Sequence, residues 1–298
     1  MTTRRTLRPA TLADVPAIAR VAAACDEPIE TPGVPGSPYA EYLLSRGRVV
    51  VAEGEGVVVG FSAVIGVGRA SHVSDLYVHP GARDRGVGRA LLGEVLSGAS
   101  NATAFASLDP RAVPLFVRAG LRAHWPNLYL EGRPGRLPAG MLLVDAVSID
   151  DADVAEAQLT GLDRSGDHRY WGTRRGAVPF VVRDGETVVG VGVAVSRRGR
   201  AGRWLSHLAI GAGGDPAAVA IAAVRATAPG EPIGTPAPAG GPAREAGDPR
   251  TSVCVPGPHP ALPLLLEAGF RVIDRDTFLA TDATLVDPER LLPDPSLL

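Results

Sequence analysis

The residues with the clearest chemical potential lie in Leu76-Tyr77-Val78-His79-Pro80-Gly81-Ala82-Arg83-Asp84-Arg85-Gly86-Val87-Gly88-Arg89-Ala90-Leu91-Leu92. The stretch reads as a strand, then a Gly/Arg turn, then the opening of a helix. Free N–H groups at a helix start face outward and the helix dipole favours negative charge there. Gly86 and Gly88 lack a Cβ, so a ligand can come close to the backbone. Arg83, Arg85 and Arg89 bring positive charge to the same turn. Those residues in that order suit a diphosphate.

Two nucleotide readings fail. A Walker loop ends in Gly-Lys-Ser/Thr, and this chain contains no lysine. A dinucleotide fingerprint needs a third glycine where Leu91 stands, and the strands before the turn read as an antiparallel meander. What remains is Arg83-x-x-Gly86-x-Gly88, which resembles the R/Q-x-x-G-x-G/A loop of the GNAT superfamily of N-acetyltransferases. Upstream, Ser74-Asp75-Leu76-Tyr77-Val78 resembles the family's fourth strand. Downstream, Asp109-Pro110-Arg111-Ala112-Val113-Pro114-Leu115-Phe116-Val117-Arg118-Ala119-Gly120-Leu121 resembles its fourth helix and the turn after it.

The resemblance implies acetyl-CoA as donor and CoA as product. It assigns cofactor contacts to Leu76, Tyr77, Val78, Arg83, Asp84, Arg85, Gly86, Val87, Gly88 and Arg89, with Asp109 and Phe116 on the fourth helix. A backbone N–H near Val78 then polarises the thioester carbonyl. A base must take a proton from the attacking amine. His72 and Asp75 are the candidates. The competing readings are an exposed strand-edge histidine and a structural carboxylate. The family's usual acid is a tyrosine where this chain has Phe116, which has no proton to give. Tyr129 is a substitute acid or a packing residue, and solvent is the third source of the proton. Asp109 either contacts the cofactor arm or caps the following helix.

On the acceptor side, Asp26, Glu27 and Glu30 with Tyr39 and Tyr42 fall in the first- and second-helix region, which walls the acceptor cleft in the family. Carboxylates beside tyrosines suit a cationic amine; a solvated loop and helix face is the alternative. In the second half, Tyr170, with His168 and Trp171, frames a pocket or packs under the tail.

The elements around these residues occur twice. In the first copy Thr6–Pro9 reads as a strand, Asp14–Ala22 as a helix with Thr11 before it, and Pro38–Arg46 as a second helix. Val49–Ala52 and Val57–Val64 form a hairpin, followed by Val73–Val78, the turn, and a helix near Arg89–Ser97. Ala102–Ala106, Arg111–Ala119 and Leu128–Leu130 complete the order as strand, helix and strand. Val181–Val193 then repeats the hairpin and Trp204–Ile210 repeats the strand before the turn. Ala261-Leu262-Pro263-Leu264-Leu265-Leu266-Glu267-Ala268-Gly269-Phe270-Arg271 repeats Ala112 to Arg122 in register. The second turn, Ala212-Gly213-Gly214-Asp215-Pro216, has lost the arginines and gained an acid. Asp163–Trp171 and the tail, Leu279–Asp282 and Val286–Pro293, resemble the second half and ending of tandem members of the family.

The expected fold is therefore α+β, two tandem GNAT folds, each a mixed, mostly antiparallel sheet flanked by helices. Residues 1–138 form a catalytic first domain. Residues 139–298 form a degenerate second one with a Pro/Gly-rich loop at 229–250. At 298 residues the chain has room for both, and 45% apolar content suffices for two cores. A formal charge of −2 argues against nucleic acid as partner. Cys25 and Cys254 alone indicate neither a disulfide framework nor a metal cluster. No apolar run approaches the ~20 residues of a membrane span, and Met1 to Arg8 leads into no apolar signal core; the expectation is a cytoplasmic protein, monomeric as a pseudo-dimer or a homodimer. Arginine without lysine, amid abundant Ala, Gly and Pro, fits a GC-rich bacterial genome. The expected activity is acetyl transfer to a small-molecule amine, antibiotic-like or a specialised metabolite. The alternatives are a peptide or protein amine as acceptor, or a non-catalytic acyl-CoA-binding protein.

Overall fold

Val-rich runs set off by Gly turns become strands, and the apolar-periodic segments between them become helices. The computed structural model describes residues 5–25, 37–197, 201–228 and 250–298. In chain order the elements of the first repeat are β1 (Arg5–Pro9), α1 (Val15–Ala23), α2 (Pro38–Arg46), β2 (Gly47–Gly54), β3 (Val57–Val67), β4 (Ala70–Val78), α3 (Val87–Val95), β5 (Ala102–Ala106), α4 (Ala112–Arg118) and β6 (Arg122–Gly132). The second repeat follows with β7 (Leu143–Ala146), α5 (Ile149–Thr160), α6 (Ser165–Thr173), β8 (Val178–Asp184), β9 (Thr187–Ser196), β10 (Gly202–Ile210), α7 (Pro216–Ala226), β11 (Arg250–Pro256), α8 (Ala261–Glu267), β12 (Arg271–Ala280) and the short β13 (Leu291–Leu292).

The chain divides into two compact units. In the first, β1 to β4 form an antiparallel meander and β4 pairs with β5 in parallel. Thr277–Ala280 of β12 closes that sheet against β5. Val87, Leu91, Leu92 and Val95 line one face of α3 and pack with Val50, Ala52, Ala104 and Phe116. In the second unit β7, β8, β9 and β10 run antiparallel, β10 pairs with β11 in parallel, and β11 pairs with Asn127–Gly132 of β6. Phe180, Leu205, Val219, Val253, Leu265 and Phe270 form its core.

Each repeat thus sends its last strand to the other unit's sheet: β6 belongs to the second, the end of β12 to the first. A boundary at residue 138 divides the sequence repeat; the compact units are drawn by where these strands pair. β6 also runs far beyond the expected Leu128–Leu130. Its opening residues are exposed or half-buried, so no apolar alternation marks them, and its pairing partner lies more than a hundred residues onward.

The repeat extends to the irregularities of the sheets. Register slips at Val59 on β3 and at Ser74 on β4; it slips again at Val189 on β9 and at Ser206 on β10. Bulges re-aim the side chains beside them, so the two copies share their special geometry as well as their order. The stretch expected as a Pro/Gly-rich loop falls almost wholly outside the described residues. Among the described residues no helix is long and apolar enough to cross a membrane.

Ahead of α1 lies a half-buried charge lock. Asp14 accepts from Arg8 Nη1 and Nη2 at 2.8 Å each, from the Thr11 N–H at 2.8 Å and from the Thr11 hydroxyl at 3.0 Å. The Arg8 hydrogen bonds hold the Asp14 carboxyl down at about 2. Because its folded pKa lies below the ordinary 3.8, the stabilisation is complete above pH 4 and is lost as the pH falls toward 2. Asp14→Asn should cost about 1–3 kcal/mol at neutral pH. In urea titrations the deficit should shrink toward pH 2; a constant deficit would contradict the charge assignment.

Candidate functional site

The parallel pairing of β4 and β5 is brief. It covers Ser71, His72 and Val73 against Ala102, Thr103 and Ala104. Beyond Val73 the strands part, while β4 stays paired on its other side to β3 as far as Val78. The length of β4 that β5 leaves borders a cavity of about 710 Å³. Its other walls are the turn from Arg83 to Arg89 and the segment from Phe105 through α4.

The turn is built to leave a helix start open. Gly86 is the N-cap of α3 with φ +78°, a left-handed conformation that favours glycine. Among the described residues no side chain caps the first-turn N–H groups, which leaves them to an anion. A Cβ on Gly88 would stand 3.4 Å from Leu115 and 3.6 Å from Val78. Any larger side chain there would close the gap between α3 and α4. Asp84, in the same turn, also takes a positive φ, +59°. Arg83 donates through Nε to the Val78 carbonyl at 3.1 Å, tying the turn to the end of the strand.

Of the cofactor contacts expected from the sequence, Leu76, Tyr77, Val78, Arg83, Asp84, Gly86, Val87, Gly88, Arg89, Asp109 and Phe116 all line this cavity. Arg85 is exposed and does not. Phe116 is also part of the core under α3. The sequence reading missed Arg111 and Arg118, which bring two more cations to the rim. Arg111 binds Asp109 through Nε at 2.9 Å and Nη2 at 2.6 Å and reaches Asp84 at 3.8 Å. The Asp109 oxygen also accepts the Arg111 N–H at 2.9 Å, an Asx turn leading into α4. The Arg111 hydrogen bond holds the Asp109 carboxyl at about 2. The sequence presents Asp109 as a cofactor contact or a helix cap and gives no sign of its ion pair with Arg111.

The proton-handling candidates separate. Asp75 lines the cavity, is buried, and accepts the Tyr39 hydroxyl at 2.7 Å. Its own carbonyl accepts the Ser62 hydroxyl at 2.8 Å. Tyr39 comes from α2, whose start is fixed by Ser37 as cap and Pro38 in the first turn. His72 is fully buried rather than at a strand edge; its Nδ1 meets the Thr103 hydroxyl at 3.0 Å and its ring stands edge-on to Phe105. It does not line the cavity. Tyr129 belongs to the second unit, where its hydroxyl donates to Asp276. Burial, with Cys254 and Asp276 nearby, pushes that phenol far above its ordinary range. Tyr170 is buried on α6 in the second unit, and Tyr42 is buried on α2 outside the cavity lining. Asp26, Glu27 and Glu30 lie outside the described residues. Cys25, not anticipated, lines the cavity with Sγ 3.4 Å from the Val78 carbonyl.

Open helix start, cationic rim and the strand edge that β5 leaves can hold an anionic ligand with an amide-bearing arm. Residues 45–120 match the family model described as acetyltransferase (GNAT) domain. No curated protein matches the chain. Among solved structures, a putative acetyltransferase from Pyrococcus horikoshii superposes with TM-score 0.64 at 12% identity, covering 99% of this chain and 94% of that one. A tandem GNAT protein from the clavulanic acid biosynthesis pathway gives 0.59 at 18% identity over 93% and 98%. A GCN5-related N-acetyltransferase from Sphaerobacter thermophilus gives 0.55 at 15% over 93% and 95%. At such identities the structural likeness speaks to fold.

The Arg111–Asp109 pair makes a direct test of the rim. In Arg111→Ala the Asp109 carboxyl should return from about 2 toward its ordinary 3.8, followed by carboxyl-carbon NMR. An unmoved titration would show that Arg111 does not set the charge there.

Proposed function

We propose that this chain, which carries a GNAT acetyltransferase domain and has the tandem GNAT fold, transfers an acetyl group from acetyl-CoA to the amine of a small molecule, using the first unit alone. The observation that carries the reading is the length of β4 that β5 does not pair, beside a glycine-started helix in one cavity.

The residues present fit the cofactor. The first-turn N–H groups of α3, with Arg83, Arg89 and Arg111, would hold its diphosphate. The backbone of Leu76, Tyr77 and Val78 would hold the pantetheine arm as an added strand partner. When bound, the cofactor supplies an acetyl thioester. The Val78 region offers a backbone N–H to the carbonyl oxygen, a donor already fixed before reaction. Asp75 takes the proton from the amine, directly or through water, and the Tyr39 hydroxyl fixes which way its carboxylate faces. His72, out of the cavity and held by Thr103, supports the strand from behind. Phe116 gives no proton to the departing sulfur, so solvent at the cavity mouth does. A CoA thiol is acidic enough to leave on those terms.

Phe116 also favours a second reading, an acyl-CoA-binding protein without transferase activity. The two differ in turnover and not in binding. Acetyl-CoA at ~100-fold over its Kd should stabilise the chain by about 2.7 kcal/mol, several degrees in melting temperature. Gly86→Trp, which places a ring at the helix start, should remove that shift; a shift retained in full would place the cofactor elsewhere. Across a panel of small amines, free CoA thiol should appear with at least one. Asp75→Asn should then lower kcat by roughly 10²-fold or more with little change in KM for acetyl-CoA. Tight binding with no thiol release on any amine, peptides included, would favour the non-catalytic binding protein.

A further inference from the structure

In the second unit β10 and β11 also pair only briefly, Gly202–Leu205 against Arg250–Val253, and then part. The bulges at Ser74 and Ser206 align the two copies. Leu208, Ala209 and Ile210 therefore stand where Leu76, Tyr77 and Val78 stand in the first unit. There the strand edge borders the cavity. Here it is filled by the chain itself.

Leu291 and Leu292 pair antiparallel with Ala209 and Leu208, and the Ile210 N–H donates to the Arg290 carbonyl at 2.9 Å. Leu292 is buried in the core with Leu208 and Leu205. The Arg290 guanidinium enters the degenerate turn, donating to the carbonyls of Gly211 and, at 3.3 Å, Gly214. The helix start beyond that turn is already capped, with Asp215 accepting the Ala218 N–H at 2.7 Å. At the other end, at the bulge, the Asp294 carboxylate accepts the Ser206 hydroxyl at 2.6 Å, the Trp171 indole at 3.1 Å and Arg174 at 3.2 Å.

We infer that residues 290–294 are the resident occupant of the second unit's cofactor groove, an internal ligand. They use the same strand edge, the same turn and the same bulge that the first unit offers to acetyl-CoA, an equivalence that rests on the reading given above. The main chain of β13 stands in for the pantetheine arm, and Arg290 fills the turn with a cation bound to carbonyls in place of a diphosphate bound to amides. A second cofactor cannot enter without expelling a buried leucine and a buried carboxylate that is triply hydrogen-bonded. The chain consequently binds one acetyl-CoA, and its second unit is closed by construction.

Hydrogen exchange on the full-length protein, without cofactor, tests the occupant. Segments 204–214 and 286–294 should be strongly protected together. Arg290→Ala, and the isosteric Asp294→Asn should the first fold poorly, should speed exchange in both segments at least tenfold and leave 47–67 unchanged. Saturating acetyl-CoA should slow exchange in 76–90, leave 286–294 as it was, and give one bound cofactor per chain by native mass spectrometry. Two bound cofactors, deprotection of 286–294 on adding acetyl-CoA, or exchange in 204–214 indifferent to both variants would overturn the inference. If acetyl-CoA fails to bind at all, the proposed activity falls, and the exchange of the variants alone decides the occupant.

Discussion

Two parallel strands that part after three or four residues impose the constraint on which the rest of this structure depends. The inner edge of β4 beyond Val73, like that of β10 beyond Leu205, carries backbone N–H and C=O groups that no neighbouring parallel strand pairs. Such groups are costly to bury without a partner. The fold leaves two remedies, a cavity in which water or a ligand satisfies the edge, or another segment of chain. The first unit takes one and the second takes the other. Nothing about the meander strands has to differ for this to happen, which is why the two copies preserve even their bulges while diverging in role.

Electrostatics follows from that choice. An uncapped helix start needs negative charge from outside, and Gly86 withholds any internal substitute. Arginines at 83, 89 and 111 bring positive charge to the same cavity. Once Asp215 caps the equivalent start from within, an external anion would meet a carboxylate and satisfied amides. A cation such as Arg290, bound to turn carbonyls, suits the altered site better. Loss of the arginines and gain of the acid are one coherent change of sign rather than two separate losses.

The sequence made the first site legible because its signals are local. The order strand, Gly/Arg turn, helix lies within 17 consecutive residues, and the repeat could be read from windows of similar length. What escaped it depends on distant pairing. Arg111 looked like part of a helix start because its partners, Asp109 and Asp84, gain meaning only when the turn and α4 meet at the rim. His72 looked exposed because strand alternation does not announce a bulge at Ser74, two residues on. The exchange of β6 and β12 between units rests on pairings across more than a hundred residues. The tail's place in the second groove is of the same kind: Leu291-Leu292 is an unremarkable dipeptide until the strand edge it satisfies is known.

The position after the bulge shows most sharply how one geometry serves two ends. On β4 it holds Asp75, facing a cavity and steadied by Tyr39. On β10 it holds His207, stacked on Trp171 at 4.4 Å with Nε2 against Glu156 at 2.9 Å. Burial lowers the pKa of His207, which favours a neutral ring that donates its Nε2 proton. Burial alone would raise Glu156, but donors from His207 and His168 pull it below its ordinary range and keep it ionised. Such a network rigidifies the wall on which Trp171 and Asp294 rest. A bulge aims a side chain out of the plane of its neighbours; whether that side chain does chemistry depends on whether the groove beside it is open. In this chain the same five-residue length of strand edge borders an open cavity beside Asp75 and carries the chain's own tail on Leu208, Ala209 and Ile210.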